Sequence, residues 1–255
     1  MLVVGITIAQ EGITLPNRMA ITSTTPEQQI PGTITATVSV AEESSDGRAE
    51  SDLGAFCPER ICFNVGRELY VFHYRGVRNA ADLTRPIDKR VYKGTFPTCH
   101  DFNQELGTSD SCSLIIGFSA GQIQLIDPFK KEMQISKLFN EDRLTDKSRV
   151  TCLKWVPGSP KQFLAAHSSG NMYLYDEEKP CLPGAPVYQT FKQGSGFTIF
   201  TCKTKSSRNP IYRWQMGTGP VNEFAFSPDH KILAVVGQDG YLRLLNYHSM
   251  ELVAQ

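Results

Sequence analysis

Nowhere in these 255 residues is there an apolar run approaching the roughly 20 residues that a membrane-spanning helix needs. The sequence therefore gives no reason to expect a membrane partner. An excess of charge of either sign is also missing: 26 Lys and Arg balance 26 Asp and Glu. A balanced chain has no overall field to draw in nucleic acid, so no nucleic-acid partner is expected. There is no Asn-x-Ser/Thr glycosylation site, and the seven cysteines are an odd number. Together these fit a reducing compartment, cytoplasmic or nuclear, better than a disulfide framework. Cys57 and Cys62 sit close together, but no second pair at zinc-finger spacing accompanies them. The cysteines read as small buried apolar residues, and no metal site is expected. Neither of the common glycine-rich phosphate loops occurs, and no cofactor is expected.

What is present is a series of short apolar runs. Hydrophobic residues make up 40% of the chain, enough for a buried core in one large domain or two small ones. The apolar start "MLVVGITIAQ" lacks the basic residues of a signal peptide and reads as an ordinary first strand or an atypical start exon. Residues 1–55 form an N-terminal extension. In it "STTPEQQIPG" has loop composition, "TITATVSV" (Thr33–Val40) alternates as a strand would, and "AEESSDGRAESD" is too poor in apolar residues to hold a fixed structure. From residue 56 to 255 the runs alternate and are split by Gly, Pro, Asp and Ser, with little 3.6-residue periodicity. One helical turn is expected around "NAADLTRP", ending at Pro86. The rest reads as an all-β chain of short strands.

Four units repeat within it. The first shows "RICFNVG", "RELYVFHY" and "KRVYKG"; the second "TCHDFNQ", "CSLIIGFS", "GQIQLID" and "ISKLFNE". The third shows "VTCLKWVPGSP", "QFLAAHSS" and "GNMYLYD"; the fourth "VNEFAFSPD", "KILAVVGQD", "GYLRLLNY" and "MELVAQ". Equivalent glycines fall at Gly66, Gly121, Gly170 and Gly240, steps of 55, 49 and 70 residues. Gly121, Gly170 and the pair Asp239-Gly240 are candidate tight-turn positions between the second and third strands of their units. A lone four-stranded sheet cannot hide both faces, so such units must stack. "LIIGF" and "ILAVV", apolar at nearly every position, suit strands covered on both sides.

These units resemble the WD-repeat family of β-propellers, whose blades recur at about 40–45 residues; the longer steps imply loop insertions. The closest likeness is to one WD-repeat subfamily. It is carried by "CFNVGRELYVFHYRG", "PIDKRVYKGTFPTCHDFN", "LIIGFSAGQIQLIDP", "SKLFNEDRLTDKSRVTCLKWVPGS", "AHSSGNMYLY" and "NEFAFSPD". It runs from about Arg60 to Val253, while the first fifteen residues do not match and the family continues with further repeats. The resemblance implies about four blades of an incomplete seven- to eight-blade ring. The Trp-Asp pair that closes a typical repeat stands here as Ile126-Asp127, Tyr175-Asp176 and Leu245-Asn246, and the Gly-His before the first strand is missing. Of the family's structural hydrogen-bond network, only Asp239 is expected.

Three features tempt a catalytic reading. Gly117-Phe118-Ser119-Ala120-Gly121 has the form of a nucleophile elbow, which needs a helix after the serine; the strand-like "QIQLID" follows instead. Ser119 is therefore expected in a hairpin with no histidine in hydrogen-bond reach, and a serine hydrolase is the remote alternative. Cys99-His100-Asp101, and His167 beside Ser168 and Ser169, are sequence neighbours that point to opposite faces of a strand, not members of a relay. From Lys179 to Asn222 there is no acidic residue, while Lys179, Lys192, Lys203, Lys205, Arg208 and Arg213 are basic. This insertion, spanning 179–214, contains "YQTFKQGSGFTIFTCK", an extra hairpin around Gly194-Ser195-Gly196. Lys203, Lys205, Arg208 and Arg213 are expected to be largely exposed, because no nearby acid could pair with them, and they are the candidate contacts for a partner. The resemblance implies a non-catalytic scaffold that binds a ubiquitin-specific protease and raises its deubiquitinating activity, with a second WD-repeat protein as further partner. The alternative is a general WD-repeat adaptor of a ubiquitin-ligase or trafficking assembly whose basic insertion recruits an acidic ligand.

Overall fold

The structure, a computed structural model, describes residues 6–9, 59–74, 84–131, 136–203 and 207–255. All regular structure of any length in these residues is strand. The first sheet runs β1 (Ile6–Ala9), β2 (Glu59–Val65), β3 (Glu68–Tyr74), β4 (Asp88–Val91) in that spatial order. The second is β5 (Pro97–Phe102), β6 (Leu114–Phe118), β7 (Ile123–Ile126), β8 (Ser136–Phe139). The third begins β9 (Val150–Val156), β10 (Ser159–His167), β11 (Asn171–Asp176). Its fourth strand is β14 (Tyr212–Met216), and the hairpin β12 (Tyr188–Gly194) and β13 (Phe197–Cys202) extends it outward to six. The last is β15 (Val221–Phe226), β16 (Ile232–Gly237), β17 (Leu242–Asn246), β18 (Glu251–Ala254). Neighbouring strands are antiparallel throughout.

These are the four expected blades of an all-β, WD-type partial propeller. The apolar start does supply a first strand: β1 pairs with β2 in register Ile6 to Phe63, so the first blade draws on the segment ahead of residue 56. "TITATVSV", Cys57, Lys205 and most of "NAADLTRP" lie outside the described residues.

Period-2 alternation explains why the blades stack. In β6, Leu114, Ile116 and Phe118 join Cys62, Leu69 and Val71 of the first sheet in one core, while Ile115 turns the other way. Ile115, Ile123 and Phe139 meet Phe163, Ala165, Tyr173 and Tyr175 of the third sheet. Leu164, Ala166, Met172 and Trp214 face Phe224, Leu233, Val235 and Leu245 of the fourth. Each of the two middle sheets therefore has both faces covered, which is why its strands read as unbroken apolar runs.

A polar stitch runs from each of the first three sheets to the first strand of the next. Asn64 donates to the Pro97 carbonyl (3.2 Å), Thr98 to the Val150 carbonyl (2.7 Å), and Thr151 to the Val221 carbonyl (2.7 Å). Each stitch satisfies a buried or half-buried side-chain group while fixing the next sheet.

The hairpin turns carry the glycines for a physical reason. Gly121 and Gly170 have φ of +89° and +87°. A Cβ at Gly121 would come within 2.7 Å of the Asp146 and Ser148 carbonyl oxygens, and one at Gly170 within 2.6 Å of the Gly219 oxygen. Each turn thus abuts the loop that enters the following sheet, and only glycine fits both the backbone and the gap.

Candidate functional site

The loop from β8 to β9 and the third sheet build a buried polar cluster. Asn140 braces the loop, donating to the Gly121 carbonyl (2.8 Å) and the Asp146 carbonyl (2.6 Å) and accepting from the Thr145 amide (3.0 Å). Asp146 then receives four donors: the Ser148 amide (2.9 Å) and hydroxyl (2.7 Å), the Ser169 hydroxyl (2.5 Å) and the Tyr173 hydroxyl (3.0 Å). The ring of His167 is fully buried, with Nδ1 3.1 Å from the Ser148 carbonyl and 3.8 Å from Asp146. Burial would raise the Asp146 carboxyl, but His167 and its serine donors outweigh it and hold the group below its ordinary range. Burial lowers His167, prevailing over Asp146 and the Ser148 carbonyl. A neutral ring donating from Nδ1 to that carbonyl follows.

The sequence reading looked only to Asp239 and did not anticipate this cluster: the carboxylate lies in the loop before the third sheet, and the histidine on its second strand. In the fourth sheet Asp239 accepts from the Arg243 guanidinium at 2.6 Å, and that contact lowers the Asp239 carboxyl.

An Asp, a His and two Ser in one cluster invite comparison with a hydrolytic triad, but the geometry is wrong. Both serine hydroxyls donate to Asp146, not to His167, and Nε2 of His167 is buried without a partner. A nucleophile needs its base in hydrogen-bond reach and substrate access. Ser119 lies in the turn between β6 and β7, as expected. Its hydroxyl pairs with Thr95 (3.0 Å) and accepts from the Phe96 amide (3.3 Å). The Cys99 thiol is raised by burial, and Asp101 bridges to the third sheet by accepting from the Trp155 amide at 3.0 Å. Among the described residues no group of three or more His, Cys, Asp or Glu is arranged to hold a metal ion.

The insertion forms the expected hairpin, but its cations are not where charge counting put them. Lys179 pairs with Asp176 (3.1 Å), and Lys192 with Glu251 (3.1 Å) and the Ser249 carbonyl (2.7 Å), acids and acceptors supplied from outside the acid-free segment. Arg208 is half-buried, donating to the carbonyls of Leu182 (3.0 Å) and its neighbour Asn209 (3.1 Å). Arg213 is half-buried between two rings, its guanidinium carbon 4.4 Å from the Tyr188 centroid and 4.2 Å from Phe200. Of the four candidate contacts, Lys203 is exposed as expected, Lys205 lies outside the described residues, and the two arginines are half-buried where large exposure was expected. Carbonyl dipoles and ring faces stand in for the missing acids.

No family model matches the chain. It is 63% identical over 193 residues to WD repeat-containing protein 20 of Mus musculus, covering 76% of this chain and 33% of that protein. It is 44% identical over 256 residues to the WD repeat-containing protein 20 homolog of Caenorhabditis elegans, covering 96% of this chain and 32% of the homolog. The chain thus spans about a third of the length of the curated relatives it matches. The worm match also reaches into the N-terminal extension, further than the Arg60 to Val253 span expected from the sequence. A chain of the mitotic checkpoint complex aligns at TM-score 0.49 and 14% identity over 76% of this chain and 47% of its own, too loose a likeness to bear on the fold. The resemblance to WD-repeat proteins is borne out by the two curated relatives.

Proposed function

We propose that the chain is a non-catalytic protein-binding scaffold, cytoplasmic or nuclear, whose partner is a ubiquitin-specific protease, with a second WD-repeat protein in the same assembly. The observation that supports a scaffold is the disposition of its reactive groups. Ser119, Ser148, Ser169, His167 and Asp146 are all engaged in joining turns and sheets to one another. The protease as partner is supported by the sequence resemblance, which spans all four blades. Stimulation in such a pair is a differential-affinity effect: the scaffold binds the competent protease conformation more tightly and shifts its population. Lys203, exposed just after the hairpin, and Lys205 are the proposed charged contacts, and Arg213 braces that hairpin through Tyr188 and Phe200.

The test is a ubiquitin-cleavage assay with purified ubiquitin-specific proteases, with and without this chain, beside co-elution on a sizing column. The expected result is co-elution and a higher rate for at least one protease. Co-elution with none, or an unchanged rate in every complex, contradicts the proposal.

A further inference from the structure

The third blade is complete without the hairpin of β12 and β13. β9, β10, β11 and β14 already form four strands, so the hairpin is an overhang beyond what stacking requires. The overhang is nevertheless held in place. Lys192 ties it to Glu251 and the Ser249 carbonyl of the fourth blade, and the Gly196 carbonyl accepts from the Gly217 amide at 2.8 Å.

Its pairing has one irregularity, between Thr190 and Lys192, so that Phe191 is the unpaired residue of a bulge. Bulges re-aim side chains, and Phe191 is 54% exposed with its ring 5.4 Å from that of Tyr212. Register places Gln189, Thr201 and Tyr212 side by side on one face. Alternation adds Val187 and Lys203, joined at the hairpin base by a 2.7 Å backbone bond, to the same face. Val187 is 63% exposed. The result is an apolar strip, Val187, Phe191 and Tyr212, edged by Lys192 and Lys203. The acid that reaches it, Glu251, is already paired with Lys192.

We propose that Phe191 is a docking anchor for a partner protein whose surface combines an apolar pocket with carboxylates at its rim. Charge complementarity selects this occupant: Lys192 is paired with Glu251, but Lys203 stands exposed at the strip's edge, and no acid occurs from Lys179 to Asn222. A rigid exposed aromatic on a tethered hairpin loses little entropy on insertion, and such residues dominate interface energetics. The inference rests on the scaffold reading above.

The test measures binding of a panel of recombinant ubiquitin-specific protease catalytic domains to the immobilised full chain by surface plasmon resonance. Three forms are compared: unaltered, Phe191→Ala and Lys203→Glu. Melting curves of both variants should overlay the unaltered one, since both side chains are exposed. Phe191→Ala should weaken binding by at least about tenfold, and Lys203→Glu by a few-fold with a shallower salt dependence. Affinity within about twofold in Phe191→Ala overturns the anchor and leaves the scaffold standing. Binding of no domain by the unaltered chain removes the protease reading first, and the anchor with it.

Discussion

The third and fourth sheets have nearly the same strand chemistry and opposite surroundings. In the third, Phe163, Leu164, Ala165 and Ala166 of β10 are all fully buried, although successive side chains point to opposite faces. In the fourth, "ILAVV" is as apolar, yet Leu233 and Val235 are fully buried while Val236 is 42% exposed. Leu242 and Val253 on its other strands are 51% and 60% exposed. The turns repeat the contrast: Gly170 is pressed against the Gly219 carbonyl, whereas a Cβ at Gly240 would meet nothing within 4 Å. So do the stitches, since Thr151 bonds across to Val221 while Asn222, at the equivalent place in β15, is exposed. A sequence states which faces are fit to be covered; the structure shows which ones are.

The sharpest way to break this contrast is to delete volume on each side of it. Trp214→Ala, at a fully buried site, should cost about 3–5 kcal/mol, whereas Leu242→Ala should stay within roughly 0.5 kcal/mol. Urea denaturation of the two variants checks both; similar costs would mean that the outer face of the fourth sheet is covered. The turns give a smaller effect. Gly240→Ala, at φ +84°, should cost roughly 1–2 kcal/mol from the left-handed backbone alone. Gly170→Ala should cost more, because a backbone carbonyl blocks its Cβ. Equal losses would contradict the close approach at Gly170.

Acid should separate the two sheets further. His167 titrates lower in the folded chain than unfolded, so as pH falls through about 6.5 the unfolded chain takes up the proton first and stability drops. Asp146 and Asp239, both held low, add losses only at more acid pH, below about 4. A melting-temperature profile should therefore decline between about pH 7 and 5, and His167→Gln should flatten that decline, reduce the Asp146 share of the more acid one and leave the Asp239 share. A flat profile for the unaltered chain over that range would contradict the buried neutral histidine.

Much of this architecture was legible in the sequence, because it depends on alternation and on glycine at turns. The four blades, the hairpin of the insertion and the hairpin setting of Ser119 follow from those two signals, and "MLVVGITIAQ" was open between a strand and an atypical start. Three things were not legible. "YRWQM" closes the third blade from beyond a 35-residue detour after Asp176, and contact order of that kind leaves no local trace. The Asp146 cluster joins a loop carboxylate to a histidine on the second strand of the next sheet, a pairing that no local spacing announces. The arginines of the insertion were misplaced because counting acids ignores carbonyls and rings as partners.

Hydrogen–deuterium exchange of the full chain, resolved to peptides, tests the central contrast most directly. Strands β10 and β11 lie in a sheet covered on both faces, and β16 and β17 occupy the same places in the sheet with one face bare. Exchange tracks the free energy of local opening. The account predicts amides of β10 and β11 exchanging at least roughly tenfold more slowly than those of β16 and β17. Equal protection in the two pairs, or slower exchange in β16 and β17, would contradict it.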